Sequence, residues 1–181
     1  MTVKSYFGSG LFDASMSAKA CDVILIQMDT DILGHNSFER YVQRELGFLP
    51  LTPAGPTDRA DEIRKVLNIA AGLDELSAAD NERHVLGPTV EATETWCVAA
   101  HSNFGSDPEL LSGQALTNAF MDALLVSESQ APLGNYAECD KSVKRRSKFC
   151  KEHSNGVNRL VASCGQFRQI SSALHLLSVR F

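Results

Sequence analysis

The sequence predicts an α/β protein in which a small, mainly parallel sheet is flanked by helices and the C-terminal half is mostly helical. Val23–Gln27 is an almost unbroken apolar run rich in β-branched side chains, which is typical of a strand buried on both faces. His84–Val90 gives a second core strand, and segments with helical periodicity separate the two. Apolar residues recur with helical spacing from about residue 107 to residue 181, which predicts that this half is mostly helical.

Length and composition fit one domain with a sizeable core. The 181 residues are 44% hydrophobic and 22% charged, and we expect one domain over 1–181, with a sheet-containing core over about 1–100 and a helical portion over about 107–181. The net charge of −5 gives no overall positive field to attract nucleic acid, so a contact with nucleic acid needs a local basic patch or a bridging metal ion.

The sequence also predicts where the protein is located. We expect no signal peptide and no membrane partner. Five cysteines without zinc-ligand spacing predict reduced thiols in a cytoplasmic protein.

The first elements are predicted from turn residues and periodicity. A short strand is predicted over 2–7 and a helical turn over 11–20, ahead of the central strand. Asn36 followed by Glu39 resembles a capping box, so we expect Asn36 to be the N-cap residue of a helix. Gly47 is expected to end that helix, because glycine readily adopts the left-handed conformation found there.

Apolar periodicity and caps place the remaining elements. A proline-rich loop precedes the second helix, a glycine follows it, and an Asp-Pro pair marks a later helix start. The predicted segments are a loop over 48–56 and helices over about 58–71, 91–100, 107–126, 142–151 and 160–177.

The central strand is followed at once by Asp29-Thr30-Asp31. If the chain stays extended, side chains alternate, and Asp29 and Asp31 point to the same side about 6.5–7 Å apart. Ligand sites in open α/β sheets lie beyond the carboxyl ends of strands. A hard divalent cation such as Mg²⁺ would relieve the repulsion between the two carboxylates. The alternative is that these aspartates are turn or capping residues.

A second acidic group opens the helix that follows the second strand. Of Glu91 and Glu94, we expect Glu94 to complete a metal site with Asp29 and Asp31, because it lies in the first helical turn and Trp96 would anchor that helix. Oxygen ligands and water together would then hold Mg²⁺. The alternative is that Glu94 only complements the positive end of the helix dipole.

One helix carries the concentrated positive charge of the sequence. Lys144, Arg145, Arg146 and Lys148 are candidates for contacts with nucleic-acid phosphates, and the alternative is an ordinary solvated helix face. His35 is a candidate metal ligand or proton carrier, and the alternative is a loop histidine.

Two segments together resemble a known family. Val23–Asp31 resembles the Asp-x-Asp strand of Toprim domains, and Pro88–Ala100 resembles the glutamate-x-tryptophan helix of bacterial Toprim-like proteins. Ser163–Phe167 is similar to their C-terminal helix. These proteins are similar to the nuclease half of the OLD (overcoming lysogenization defect) family, which is linked to defence against phage.

The resemblance implies a compact Toprim-like fold and cleavage of nucleic acid, DNA rather than RNA, with Mg²⁺ or Mn²⁺. Asp29 and Asp31 match the metal-binding aspartates of the family, and Glu94 matches a nearby acidic position. Toprim enzymes also use a glutamate on a first strand well before the Asp pair, and no glutamate precedes Asp29 in this sequence.

Two hypotheses therefore remain open. The first is a Toprim-like, metal-dependent nuclease in which Asp29, Asp31 and Glu94 are catalytic. The second is a non-catalytic, degenerate Toprim-like subunit that binds a partner protein or a longer version of itself. The missing strand motivates the second, because it would leave a sheet position available for a partner or for a homo-oligomer contact.

Overall fold

A computed structural model describes residues 23–75, 82–101 and 107–178. They fall in two compact units: residues up to Pro88 with those from Gln169 onward, here called the sheet unit, and Thr89–Arg168, here called the helical unit. Strands and helices both occur, so the predicted α/β class is confirmed. The strand predicted over 2–7 and the helical turn predicted over 11–20 lie outside the described residues.

The described part of the chain contains two strands, seven α-helices and four 3₁₀ turns. In chain order the strands and helices are β1 (Ile24–Asp29), α1 (Asn36–Leu46), α2 (Pro56–Ala71), β2 (His84–Thr89), α3 (Thr93–His101), α4 (Gly113–Ser127), α5 (Val143–Glu152), α6 (Val157–Ser163) and α7 (Gly165–Ser178). The 3₁₀ turns are Thr30–Ile32, Leu73–Glu75, Pro108–Leu110 and Ser154–Gly156. None of the described helices is both long and apolar enough to cross a membrane.

The sheet of the described residues consists of β1 and β2, which run parallel. Ile26 of β1 is buried in a core with side chains of α1 and α2, among them Val42 and Ile63. The neighbouring Leu25 is 50% exposed, so the expectation of a strand buried on both faces is wrong. The side chains of β1 alternate between the helix-covered face and a more open face.

Glycines end both helices of the sheet unit as predicted. Gly47 and Gly72 follow α1 and α2 in the left-handed conformation, with φ of 80° and 65°. The predicted capping box at Asn36 is wrong, because His35 is the N-cap residue of α1 and its side chain makes no capping hydrogen bond. α2 begins at Pro56, slightly earlier than predicted, since proline fits the first helical position.

The core of the helical unit is formed by α3, α4 and α5. Val98, Phe120, Leu124 and Phe149 are buried there in one apolar cluster. A second cluster joins α3 to α6 around Leu160.

The helical unit departs from two predicted helices. The helix expected over about 107–126 begins as a 3₁₀ turn, and α4 starts only at Gly113. The helix expected over 160–177 is wrong as one element, because the chain leaves the helical conformation at Cys164 and divides it into α6 and α7.

Candidate functional site

The two aspartates predicted to hold a metal ion lie on different kinds of backbone. Asp29 is the last residue of β1 and is half-buried, whereas Asp31 is exposed in the 3₁₀ turn that follows. The amide N of Leu33 closes that turn by donating to the carbonyl O of Thr30 at 3.2 Å. The predicted alternation, with both side chains on one side of an extended strand, is therefore wrong. Asp29 still ends a parallel strand, which is the position from which ligand sites of α/β sheets are built.

A guanidinium group lies at the turn that carries these aspartates. Arg59, in the first part of α2, donates from Nη2 to the carbonyl O of Thr30 at 2.8 Å. Thr30 stands between Asp29 and Asp31 and is fully buried. A fixed positive charge thus accompanies the acidic turn, and it competes electrostatically with any cation that approaches the turn.

Glu94, predicted as the third metal ligand, forms an ion pair with Arg146, predicted as a phosphate contact. Glu94 is buried in the first turn of α3, and Arg146 reaches it from α5. Arg146 also donates from Nε to the carbonyl O of Asp140 at 2.7 Å, and its guanidinium lies over the Phe120 ring. The geometry places both side chains in contacts within the helical unit, which agrees with a structural role for each.

Arg145 is held by two carboxylates of the helical unit. Its Nε donates to Glu128 Oε1 at 2.9 Å, and its Nη1 pairs with Asp140. The hydrogen bond from Arg145 holds the pKa of Glu128 below its usual range. For Asp140 the main cause of a lowered pKa is the amide of Ser142, with Arg145 adding to the effect. The positive charge of Arg145 is therefore balanced by two carboxylates of the same unit.

The remaining basic candidates and His35 face water. Lys144 is exposed, and the exposed Lys148 makes a long contact of 3.7 Å with Glu152. Of the four predicted phosphate contacts, two are thus exposed lysines and two are partly exposed arginines that form ion pairs within the helical unit. His35 is an exposed residue at the start of α1.

Two buried glutamates were not among the sequence-based candidates. Glu62 on α2 accepts the amide hydrogen of Leu51 at 3.0 Å and pairs with Lys65 at 3.5 Å. Helical periodicity could have indicated it, since Glu62 precedes the buried Val66 by one turn on the same face. Its hydrogen bond fixes the loop over 48–55 against α2.

The second is Glu109, whose carboxylate accepts the amide hydrogen of Gln166 at 3.1 Å and thereby caps the first turn of α7. Burial raises the pKa of Glu109, and the amide of Gln166 partly offsets this increase. No local sequence signal indicates this contact, because 57 residues separate the two partners. The cap explains why a new helix begins at Gly165.

The loop over 48–55, here called the leucine loop, presents apolar side chains to solvent. Leu49 is 59% and Leu51 is 65% exposed. The loop is nevertheless fixed, because the amide of Leu51 is bound by Glu62 and Lys65 Nζ lies 4.6 Å from the centre of the Phe48 ring. Leu49 and Leu51 thus expose apolar surface on a segment that is held against α2.

Neither local geometry nor comparison assigns an activity to these residues. Among the residues that the structure describes, no three histidine, cysteine, aspartate or glutamate side chains are grouped so as to hold a metal ion. Comparisons with known protein families, with curated proteins and with solved structures give no match to this chain.

Proposed function

We propose that this chain is a non-catalytic binding subunit that recognises a protein partner through the leucine loop. The observation that carries the proposal is the exposure of Leu49 and Leu51 on a segment that is fixed to α2 at Glu62 and Lys65. Removal of apolar side chains from water favours association by about 25 cal/mol for each Å² that is buried.

The order of the leucine loop supports binding. A flexible segment loses conformational entropy when it binds, and a segment that is already fixed loses less. Besides the contacts with α2, the loop packs near the start of α1: a Cβ added at Gly34 would lie 3.4 Å from Thr52 Cγ2. The contacts with α2 thus hold the loop while its two leucines remain in water.

The ion pairs of the helical unit support a role without catalysis. Glu94 and Arg146 neutralise each other, and Arg145 is balanced by Glu128 and Asp140. To bind a metal ion or a phosphate group, these side chains would first have to leave partners at hydrogen-bonding distance. That cost argues against a site already organised for cleavage of phosphodiesters.

The partner that we propose is a second copy of this chain. Most oligomers of soluble proteins are built from identical subunits, and a two-fold interface would bring one leucine loop against the same surface of its partner. The sequence resemblance implies a Toprim-like framework, and the absence of a glutamate before Asp29 is compatible with a degenerate site in this role. Assembly of this kind needs neither a metal ion nor a nucleotide.

The test is the molar mass of the purified chain by sedimentation equilibrium over a wide concentration range. We expect the mass to rise towards that of a dimer for the wild type and to remain that of a monomer for Leu49→Ser/Leu51→Ser. Leu133→Ser is the matched control, since Leu133 is 73% exposed in the helical unit. A monomeric wild type at every concentration, or equal loss of association in the control, would contradict the proposal.

A second candidate function is Mg²⁺- or Mn²⁺-dependent cleavage of nucleic acid, and the place of Asp29 at the end of β1 favours it. Carboxylate oxygens of Asp29 and Asp31 are ligands that these hard cations accept, whereas Glu94 is engaged by Arg146. When bound, such an ion would polarise a phosphodiester and activate water.

Cleavage of DNA and of RNA by the purified chain, with Mg²⁺ or Mn²⁺ added, tests this second candidate. If it is right, Asp29→Ala and Asp31→Ala abolish cleavage, and Asp74→Ala, which changes an exposed carboxylate of the same unit, leaves it unchanged. Absence of cleavage by the wild type, or cleavage that survives Asp29→Ala, would exclude it.

A further inference from the structure

Helices α3 and α5 of the helical unit are aligned by two contacts that are two helical turns apart. At one end Glu94 pairs with Arg146, and at the other the rings of His101 and His153 lie edge to face with centroids 4.8 Å apart. Seven residues separate the two contacts on each helical segment, which is close to two turns of an α-helix. The two segments therefore run side by side in the same direction and in fixed register.

This register brings two cysteines together between the outer contacts. Cys97 lies one turn after Glu94 on α3, and Cys150 lies one turn after Arg146 on α5. Both side chains line the same cavity between the two helices. Cys97 also packs against the apolar cluster that contains Phe149, the residue before Cys150. The Glu94–Arg146 ion pair, the His101–His153 contact and the packing of Cys97 against this cluster therefore place the two cysteines at the same level of the two helices.

The two cysteines line one cavity but differ in exposure. The cavity has a volume of about 210 Å³, and its other walls include Trp96, Val157 and Leu160. Cys150 is exposed, whereas Cys97 is half-buried, and burial is the main cause that raises the pKa of Cys97 to about 12. Cys150 is therefore the thiol that a reagent from solution meets first.

We propose that Cys97 and Cys150 form a site of reversible oxidative modification, in which a low-molecular-weight disulfide converts the two thiols into a disulfide that joins α3 to α5. Such a bond requires the two sulfur atoms to come close together, and the structure places Cys97 and Cys150 at the same level of the two helices, on the wall of one cavity. The inference is independent of the function proposed above, because it uses no residue of the leucine loop.

The reaction is thiol–disulfide exchange in two steps. Cys150 loses its proton to solvent, and its thiolate attacks one sulfur of the small disulfide. The sulfur–sulfur bond breaks, one small thiolate leaves and takes up a proton, and Cys150 carries a mixed disulfide. Cys97 then loses its proton to solvent and attacks Cys150 Sγ, and the second small thiol leaves. The two cysteines lose two electrons in total, and the small disulfide gains them as it becomes two thiols.

The test treats the full chain with oxidised glutathione, stops the exchange with acid, and identifies the products by intact-mass and peptide-mass measurement. We expect the wild type to lose two hydrogens and to yield a peptide pair joined through Cys97 and Cys150. In Cys97→Ser we expect the glutathione mixed disulfide to accumulate on Cys150. Cys139→Ser is the control, and it should form the same bond as the wild type.

Two further measurements keep the test decisive. Circular dichroism establishes that each variant is folded, and Cys150→Ser, a change at an exposed position, should form no joined peptide pair. Since the second step needs the Cys97 thiolate, conversion of the wild-type mixed disulfide should become faster as the pH rises from about 7 to 9. The proposal is overturned if glutathione remains on Cys150 of the wild type, or if Cys97 stays open to alkylation after the exchange.

Discussion

Glu94 and Arg146 form an ion pair that joins α3 to α5 within the helical unit. The carboxylate is almost fully buried, and the guanidinium side chain is 26% exposed. Because Arg146 also binds the backbone of Asp140, the pair connects α3, α5 and the segment that leads into α5. Two residues whose sequence positions indicated a metal ligand and a phosphate contact therefore contribute to the tertiary structure.

We expect Glu94→Gln to lower the free energy of unfolding by about 1–3 kcal/mol, because Arg146 would lose its charged partner in a largely buried place. Urea unfolding measures the change. Arg146→Met should lower the free energy of unfolding by at least as much, since it leaves a buried carboxylate without its cation. The double variant should recover part of that stability.

The exposed pair Lys148 and Glu152 provides the control for this cycle. Its single and double variants should change the free energy of unfolding by no more than about 0.5 kcal/mol, as is usual for exposed pairs. Additive effects of Glu94→Gln and Arg146→Met, with no coupling between them, would show that the ion pair does not stabilise the fold.

Glu109→Ala should weaken the start of α7. Its carboxylate accepts the amide hydrogen of Gln166. Removal of this acceptor should lower the free energy of unfolding by about 1–3 kcal/mol, because the buried amide loses that partner. Hydrogen exchange of the Gln166 amide should become faster together with the loss of stability. Glu152→Ala, which removes an exposed carboxylate, is the control. Unchanged exchange at Gln166 would contradict the capping role.

Local signals predicted the helix ends of the sheet unit well. Gly47 and Gly72 end their helices as expected, because the left-handed conformation after a helix is a property of one residue and its neighbours. The apolar run at Val23–Gln27 likewise corresponds to β1, although only one face of that strand is covered by α1 and α2. The helix ends and the position of β1 could be predicted because they depend on residues that are close to one another in the sequence.

Distant contacts explain most of what the sequence did not predict. Glu109 caps the helix that begins after Cys164, and the partner of Glu94 is an arginine that lies 52 residues away. The turn after Asp29 brings Asp31 out of the strand, and Arg59 of α2 binds at that turn. Spacing along the chain does not indicate such pairings, so the sequence identified the charged residues but not the partners that they have in the fold.

The stability of the protein should fall as the pH decreases through about 6.5. Burial is the main cause that lowers the pKa of His101, and the nearby His153 and Arg159 add to it. The unfolded chain therefore binds this proton more readily than the folded chain does, so the free energy of unfolding is highest above about pH 6.5 and decreases until the pH is below the folded pKa. Urea unfolding between about pH 5.5 and 7.5 measures the effect.

His101→Gln should flatten this pH dependence, because it removes the titrating ring. His35→Gln is the control, since His35 is exposed in the sheet unit, and it should leave the slope of the wild type unchanged. If His101→Gln and the wild type show the same slope, His101 is not the group that makes the folded protein sensitive to acid.

Gly156→Ala should destabilise the helical unit by about 1–3 kcal/mol through overpacking. Gly156 is buried where the turn before α6 approaches the end of α3, and an added Cβ would lie 2.9 Å from Ala100 Cα. Backbone atoms cannot move aside as a flexible side chain can. The same Ala100 accepts a hydrogen bond from Arg159 Nε at 2.9 Å, which stabilises the carboxyl end of α3, so displacement of the turn should weaken that contact too.

Urea unfolding of Gly156→Ala, with Asn155→Ala as the control at the exposed neighbouring position, measures this effect. The control should be within about 0.5 kcal/mol of the wild type, because it adds no atoms near α3. The His101–His153 contact lies just beside this turn, so the methyl group should also reduce the pH dependence that His101 provides. Equal stability of Gly156→Ala and the wild type would mean that α3 and the turn are less closely packed in solution than this contact requires.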